Sequence, residues 1–521
     1  MSGRTFDAVD LELAVGTLRS VAEDMGTSLV RSARSANIKE RRDTSAAVFD
    51  RQGRVVVQAE HIPVHLGALP ASVGAVVSRP QSRGDVWVLN HPYQGGTHLP
   101  DVTMVAPVYL GKTPAGFVAV RAHHSDIGGA RPGSMPAGAR SLFEEGLVVP
   151  PVRLVAAGVP QDDLLDLILA NCRRPDERRG DLRAQTAAVM LGGRRLAEVE
   201  RSRGEGYVAR AMEEVRQYSI RRARKALDRL EPGVYEGEDF LEGDGLSQVP
   251  ISIRVTVEIR ADRLVFDLTR SAGEVEGNLN CPRAVTVSSC LFVARCLLDP
   301  SPLGAAGCME LVDVVTRPGS VVDARPPRAV AGGNVETSQR VVDAILAALG
   351  DPLSLPACSQ GTMNNIVLGS EAFSYYETLG GGGGASAEGP GTDAVHSAMT
   401  NTLNTPVEAL ERDFPLRVLR YGLREGSGGD GVHRGGEGLV REIQLLAPAT
   451  LSLLVERQLV GPPGRAGGSP GIPGRCTANG RVVPGKSETR LDAGDVVTIE
   501  TPGGGGWGGS TGVRSGASTA N

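Results

Sequence analysis

The sequence predicts a mixed α/β, multidomain protein, and three observations carry that expectation. Its 521 residues exceed one compact core, so two or three domains are the ordinary outcome. Short β-branched runs bounded by Gly, Pro and Asn fill the first 160 residues and recur near the C-terminus, while a charged stretch between them has helical periodicity. Glycine, at 68 residues, is nearly double the usual share of about 7%, yet it falls in short clusters between apolar segments. That distribution fits tight turns and close backbone packing better than low complexity.

Residues 8–36 place Val9, Leu11, Ala14, Leu18, Val21 and Ala22 at helical spacing and predict a long first helix. After "NIKERRDTSA", the runs "AAVFD" and "RVVVQ" read as strands joined at "RQG". "DVWVLN", "DVTMVAPVYL" and "AGFVAVRAH" are three further strands, each entering or leaving a histidine-bearing loop. Residues 161–230 are expected as a solvated helical hairpin or arm, with a subunit-contact arm as the other reading. Strands resume after Pro232 in "GVYEGEDFLE", "ISIRVTVEIRAD" and "RLVFDLT", and Cys281–Leu298 and Thr337–Leu349 read as buried helices. The expected layout is a strand-rich N-terminal region (1–160) bearing the candidate site, a charged helical segment (161–230), a mixed α/β region (231–414), a β-rich C-terminal region (415–507) and a disordered tail (508–521).

Charge and targeting exclude several classes. A net charge of -5 without a polybasic block gives no sign of a nucleic-acid partner. No apolar run nears the roughly 18–20 residues that span a bilayer, and "MSGRTFDAVDLELAV" lacks the order of a secretory signal. Seven dispersed cysteines without a CxxC pair point to reduced thiols and a cytoplasmic location.

Chemistry concentrates in "LNHPYQGGTHLPDVTMVAPV" and "RAHHSDIGG", which hold His91, His98, His123 and His124, half of the eight histidines. His98 and Asp101 are separated by two residues, one of them Pro100, so a tight turn is expected to bring imidazole and carboxylate together. With His123 at another strand end and Glu40 upstream, two imidazoles and two carboxylates make a ligand set for Zn²⁺, Mn²⁺ or Fe²⁺. Asp126 is placed to orient an imidazole, and a divalent ion there would lower the pKa of bound water toward neutrality. His61 and His65 are a rival ligand pair, although Pro63 disfavours a continuous helix between them.

Other chemistries find less support. "GRVVPGKS" matches the Walker pattern, but Pro484 stiffens it and strand-like "DVVTIE" follows where a helix should open. "GGNVETSQR" is a glycine turn opening a helix, with Thr337 or Ser338 expected as caps and an anion site as the lesser alternative. "GGSPG" and "GGSTG" lack the strand–turn–helix setting of a nucleophile elbow.

The histidine loops also carry a resemblance. "NIKERRDTSAAVFD", "HIPVHLGALPASV", "GDVWVLNHPYQGGTHLPDVTMVAPV", "AHHSDIGGARPGSMP", "AGGNVETSQRVVDAI" and "NTPVEALERDFPL" stand in the order found in the hydantoinase B family. That family includes the C-terminal half of 5-oxoprolinases and the alpha subunits of acetone carboxylases; the chain most resembles N-methylhydantoinase B-type subunits. The resemblance implies a hetero-oligomer with a hydantoinase A-type partner, an actin-like ATPase that binds ATP and phosphorylates the substrate's carbonyl oxygen. It implies one divalent metal in this chain, manganese in the carboxylase branch, held by Glu40, His98, Asp101 and His123, with His124 or Asp126 assisting proton transfer. The expected function is hydrolysis of a carbonyl-phosphorylated cyclic amide: a hydantoin, 5-oxoproline or another lactam. A subunit of an acetone- or acetophenone-type carboxylase and a non-catalytic scaffold are the alternatives.

Overall fold

A computed structural model describes residues 6–60, 62–301 and 303–509. His61, one half of the rival ligand pair, and residues 510–521 of the expected tail lie outside them. Mixed helices and sheets confirm the predicted α/β class, in three regions that pack on one another.

The N-terminal region is a seven-stranded antiparallel sheet of β1 (Thr44–Asp50), β2 (Val55–Glu60), β3 (Val86–Leu89), β4 (Asp101–Leu110), β5 (Thr113–His123), β6 (Val152–Ala156) and β7 (Val159–Pro160), in the order β2-β1-β5-β4-β3-β6-β7. Alternation sorts its side chains onto two buried faces. Val48, Met104, Val118 and Val120 join one core, and Phe49, Val105, Phe117 and Ala119 join another. Two buried faces explain why β1 reads as a continuous apolar run.

Helix α1 (Ala8–Ser32) starts where Asp7 accepts a hydrogen bond from the Asp10 amide, and it buries Val15, Leu18, Val21, Met25 and Leu29. Helix α2 (Ala36–Lys39) is a single turn, and α3 (His65–Val77) covers the opposite sheet face from α1. After the short α4 (Leu142–Glu145), the charged segment folds into α5 (Asp162–Ala170), α6 (Pro175–Arg203) and α7 (Tyr207–Leu227). These do not stand off as a solvated arm. Helix α6 buries Leu182, Ala188, Val189 and Leu196 against α1 and the sheet, so closely that a Cβ on Gly192 would meet the Met25 sulfur at 2.2 Å. The charge density had hidden a narrow apolar stripe.

The middle region holds β8 (Gly233–Leu241), β9 (Ile251–Ile259), β10 (Leu264–Asp267) and β11 (Val312–Val315) in one sheet, packed by the buried helices α8 (Arg283–Leu298) and α10 (Ser338–Leu349), with α9 (Gly304–Leu311) between them in sequence. The "GGNVET" turn is a π-helical stretch, Gly333–Thr337, feeding α10. Thr337 and Ser338 are not caps, because their hydroxyls donate to the Leu279 and Asn334 carbonyls. Strands β12 (Asn365–Gly369) and β13 (Ser374–Thr378) begin the last region, followed by α11 (Val407–Asp413), β14 (Leu416–Arg424), β15 (Gly438–Leu445), β16 (Ala449–Leu454), β17 (Arg475–Ala478), β18 (Arg481–Val482), β19 (Lys486–Leu491) and β20 (Val496–Glu500). They form a four-stranded sheet, β13-β12-β16-β19, and a five-stranded one, β14-β15-β20-β17-β18, around a shared apolar core.

Beside these sheets the glycine clusters meet each other. Gly382 N donates to Pro502 O, Gly383 N to Thr392 O, Gly436 N to Gly383 O, Gly504 N to Gly436 O and Gly429 N to Gly504 O, all at 2.8–2.9 Å. A Cβ on Gly504 would lie 1.9 Å from Gly383 O, and one on Gly382 would lie 2.0 Å from Gly504 N. Neither glycine has positive φ, so close backbone approach and not turn geometry excludes a side chain there.

Candidate metal centre

The register of one strand pair builds the centre. β4 pairs with β5 so that Asp101, the first residue of one, faces His123, the last of the other. The 97–100 turn immediately before β4 closes with Asp101 N donating to His98 O, which brings His98 to the same point. Glycine makes the loop compact: Gly95 has φ 94, and a Cβ on it would stand 2.5 Å from the Ala71 backbone. Arg121, fully buried, donates to Gly95 O, Ser72 Oγ and Thr103 Oγ1 and ties the loop to α3 and β4.

His98 Nε2, His123 Nδ1 and Asp101 Oδ1 stand 3.1–3.3 Å apart, each on a side chain no more than 3% exposed. Ligands about 2.0–2.1 Å from an ion at tetrahedral angles stand about 3.3–3.4 Å from one another, so these atoms fit a small divalent ion. Burial raises the Asp101 carboxyl, but the His98 charge and hydrogen bonds from His123, His65 and His98 outweigh it and hold the group well below the usual carboxylate range. Burial pushes the His123 imidazole below its ordinary value, toward the neutral form that donates a lone pair. The adjoining cavity of about 20 Å³ has room for one ion or water.

Surrounding groups fix these side chains. Thr97 Oγ1 donates to Asp101 Oδ2, and His65 Nε2 lies 3.5 Å from the same oxygen with Nδ1 2.9 Å from Ser45 Oγ. The His123 ring stacks on Tyr376 with centroids 4.5 Å apart, and the Tyr376 hydroxyl donates to Asn365 Oδ1. The Asn334 amide meets His98 Nδ1 at 3.2 Å, while Asn334 Oδ1 has no partner. With the amide oriented so that Oδ1 accepts from Nδ1–H, the Nε2 lone pair faces Asp101 and His123. Asn334→Leu is therefore expected to weaken divalent-metal affinity about 10–100-fold in chelator competition, with Asn334→Asp retaining most of it.

The remaining candidates fall elsewhere. Glu40 is half-buried at the end of α2, does not line the cavity, and acts electrostatically on Arg412. Asp43, 6% exposed, lines the cavity in its place; its carbonyl accepts from His123 N, and its carboxylate charge acts on that imidazole. The signal for it was available: β1 opens at Thr44 and pairs Thr44 with Ala122, which sets Asp43 beside His123. His124 turns toward α6, with Nε2 2.9 Å from Gln185 Oε1, and burial beside Arg178 pushes its pKa down to about 4. Asp126 is consumed by the amides of Gly128, Gly133 and Arg173 and by the Arg173 guanidinium. Neither faces the cavity. His91 accepts from the Tyr93 amide and shapes the loop.

Known proteins resemble this chain along nearly its whole length. The family described as hydantoinase B/oxoprolinase matches residues 7–510. The 5-oxoprolinase 1 of Arabidopsis thaliana is 37% identical over 96% of this chain, which spans only 42% of that protein. The B-type component of a putative D-/L-hydantoinase from a Pseudomonas species is 29% identical over 97% of this chain and 90% of its own length. The crystal structure of the ATP-dependent caprolactamase from Pseudomonas jessenii superposes with a TM-score of 0.87 at 26% identity, covering 97% of this chain and 92% of that one.

Proposed function

Because the chain belongs to the hydantoinase B/oxoprolinase family, we propose that it is the B-type subunit of an ATP-dependent cyclic-amide hydrolase acting on a hydantoin, 5-oxoproline or another lactam. One observation carries the reading: three ligand atoms from a turn and two strand ends converge in a buried cavity. Amide resonance protects a lactam carbonyl, and phosphorylation of its oxygen by an ATPase partner would make the carbon electrophilic and supply a leaving group. His98, Asp101 and His123 would hold a divalent ion, with Asp43 on the same cavity lining, and such an ion would supply Lewis acidity and lower the pKa of water.

The chain's own residues do the positioning. Asn334 holds the His98 tautomer, Tyr376 orients the His123 ring, and Ile62, Val64, Val335 and Met363 wall the cavity with apolar surface that excludes bulk water. ATP chemistry belongs to the partner. "GRVVPGKS" here forms β18 and the start of β19, and its lysine, Lys486, is ion-paired with Glu456.

The test is co-expression with a hydantoinase A-type subunit, scoring ADP release and ring opening across hydantoins, 5-oxoproline and other lactams. Ketones with labelled bicarbonate form a second arm. Coupled ADP release and ring opening are expected for at least one cyclic amide, with no ATP hydrolysis by this chain alone. Turnover confined to the ketone arm would overturn the reading.

A further inference from the structure

Beside the ligand cluster lies a buried cation with no counter-ion among the described residues. Arg41 is 0% exposed, yet no carboxylate among the described residues comes within ion-pairing distance of its guanidinium. It donates from Nη1 to Tyr376 O at 3.3 Å and from Nη2 to Thr378 Oγ1 at 2.8 Å and Thr402 Oγ1 at 3.3 Å; Nε has no partner. Its other contact is the Tyr376 ring, 4.7 Å away, whose ring also stacks on His123. A buried charge left unpaired is costly, so such an arrangement calls for an anion.

The hydroxyls that Arg41 touches line the cavity. Thr378 Oγ1 and Thr402 Oγ1 are 2.7 Å apart, so one hydroxyl proton serves that bond. Among the described residues the other has only the long contact to His396 Nε2, 3.5 Å from Thr402. A guanidinium donating to both oxygens polarises these hydroxyls and makes the spare proton a stronger donor. The guanidinium thus places a positive charge directly behind two hydroxyls of a closed cavity.

We infer that the Thr378 and Thr402 hydroxyls, backed by the Arg41 guanidinium that donates to both, form an oxyanion subsite on the cavity shared with His98, Asp101 and His123, which takes the phosphoryl group of a carbonyl-phosphorylated substrate. This rests on the cyclic-amide reading, in which such a group reaches this chain. A phosphoryl group exceeds the present 20 Å³, so its entry requires the cavity lining, which includes Thr400 and Thr402, to open. Arg41 itself tethers the 400–403 segment, accepting a hydrogen bond from Leu403 N at its carbonyl oxygen.

Titration calorimetry of the purified full chain with inorganic phosphate, and separately with bicarbonate, tests the subsite. Phosphate is expected to bind more tightly than bicarbonate, with affinity falling about tenfold or more in Arg41→Met and about three- to tenfold in Thr402→Val. Thr402→Val is nearly isosteric and removes a hydroxyl, so a phosphate loss with an unchanged melting curve reports the subsite and not unfolding. Equal phosphate affinity in the wild type and both variants would overturn it, as would tighter binding of bicarbonate. Metal content of the same samples separates the two ideas. A chain that holds its metal but ignores phosphate sinks the subsite alone. A chain that takes up no metal sinks the metal centre, and its phosphate titration still decides the subsite.

Discussion

Replacing His98 and Asp101 together by alanine is expected to leave the purified chain with less than about a tenth of the wild-type metal and to lower turnover of the assembled enzyme by about three orders of magnitude or more. The change removes two of the three ligand atoms that meet within 3.1–3.3 Å. His123 and Asp43 then remain without the turn that closes the triangle, and two ligands do not hold a divalent ion against buffer. His124→Gln is the matched control: it alters a neighbouring buried histidine that faces Gln185, so metal content should not change. Elemental analysis of the three proteins reads the result. Equal metal in wild type and the double variant would remove His98 and Asp101 from the assignment.

Gly504→Ala is expected to destabilise the chain by about 3 kcal/mol or more, enough to cost most soluble protein at 37 °C. The added methyl would lie 1.9 Å from Gly383 O and 2.4 Å from Gly383 C, and both contacts are backbone that cannot rotate away. Relieving the clash would separate segments that exchange hydrogen bonds through Gly436, Gly383 and Gly429, leaving buried amides and carbonyls unpaired. Gly74→Ala makes the opposite case. Gly74 lies in α3 with nothing within 4 Å of its ideal Cβ, so alanine should add about 0.5–1 kcal/mol through helix propensity. Denaturant midpoints of the two variants should move in opposite directions. A midpoint for Gly504→Ala equal to wild type would contradict the close backbone contacts.

What was legible in the sequence follows the range of the interactions. Strands "DVTMVAPVYL" and "AGFVAVRAH" declare themselves by local composition, and their short connection fixes the antiparallel register that sets Asp101 opposite His123. The ligand turn was therefore readable. Asn334, Tyr376 and Thr402 were not, because they reach His98, His123 and their cavity from more than 200 positions away and carry no local mark of that role. Glu40 and Asp43 show the same limit at short range. Both precede β1, and strand register, not residue type, places Asp43 at the cavity. Charge density made α6 look solvated, whereas its small residues Gly192, Ala188 and Ala184 let α1 approach closely. Glycine excess announced close packing without saying which clusters meet, since that is settled by tertiary hydrogen bonds.

The split origin of the cavity gives it a history during synthesis. His98, Asp101 and His123 leave the ribosome together on one hairpin, whereas the hood of Tyr376, Thr378 and Thr402 follows roughly 250–280 residues after His123. At about 5–20 residues per second, the ligand hairpin waits about 15–55 s for its cover. A nascent chain thus presents His98, Asp101 and His123 to solvent until docking of the later strands encloses them.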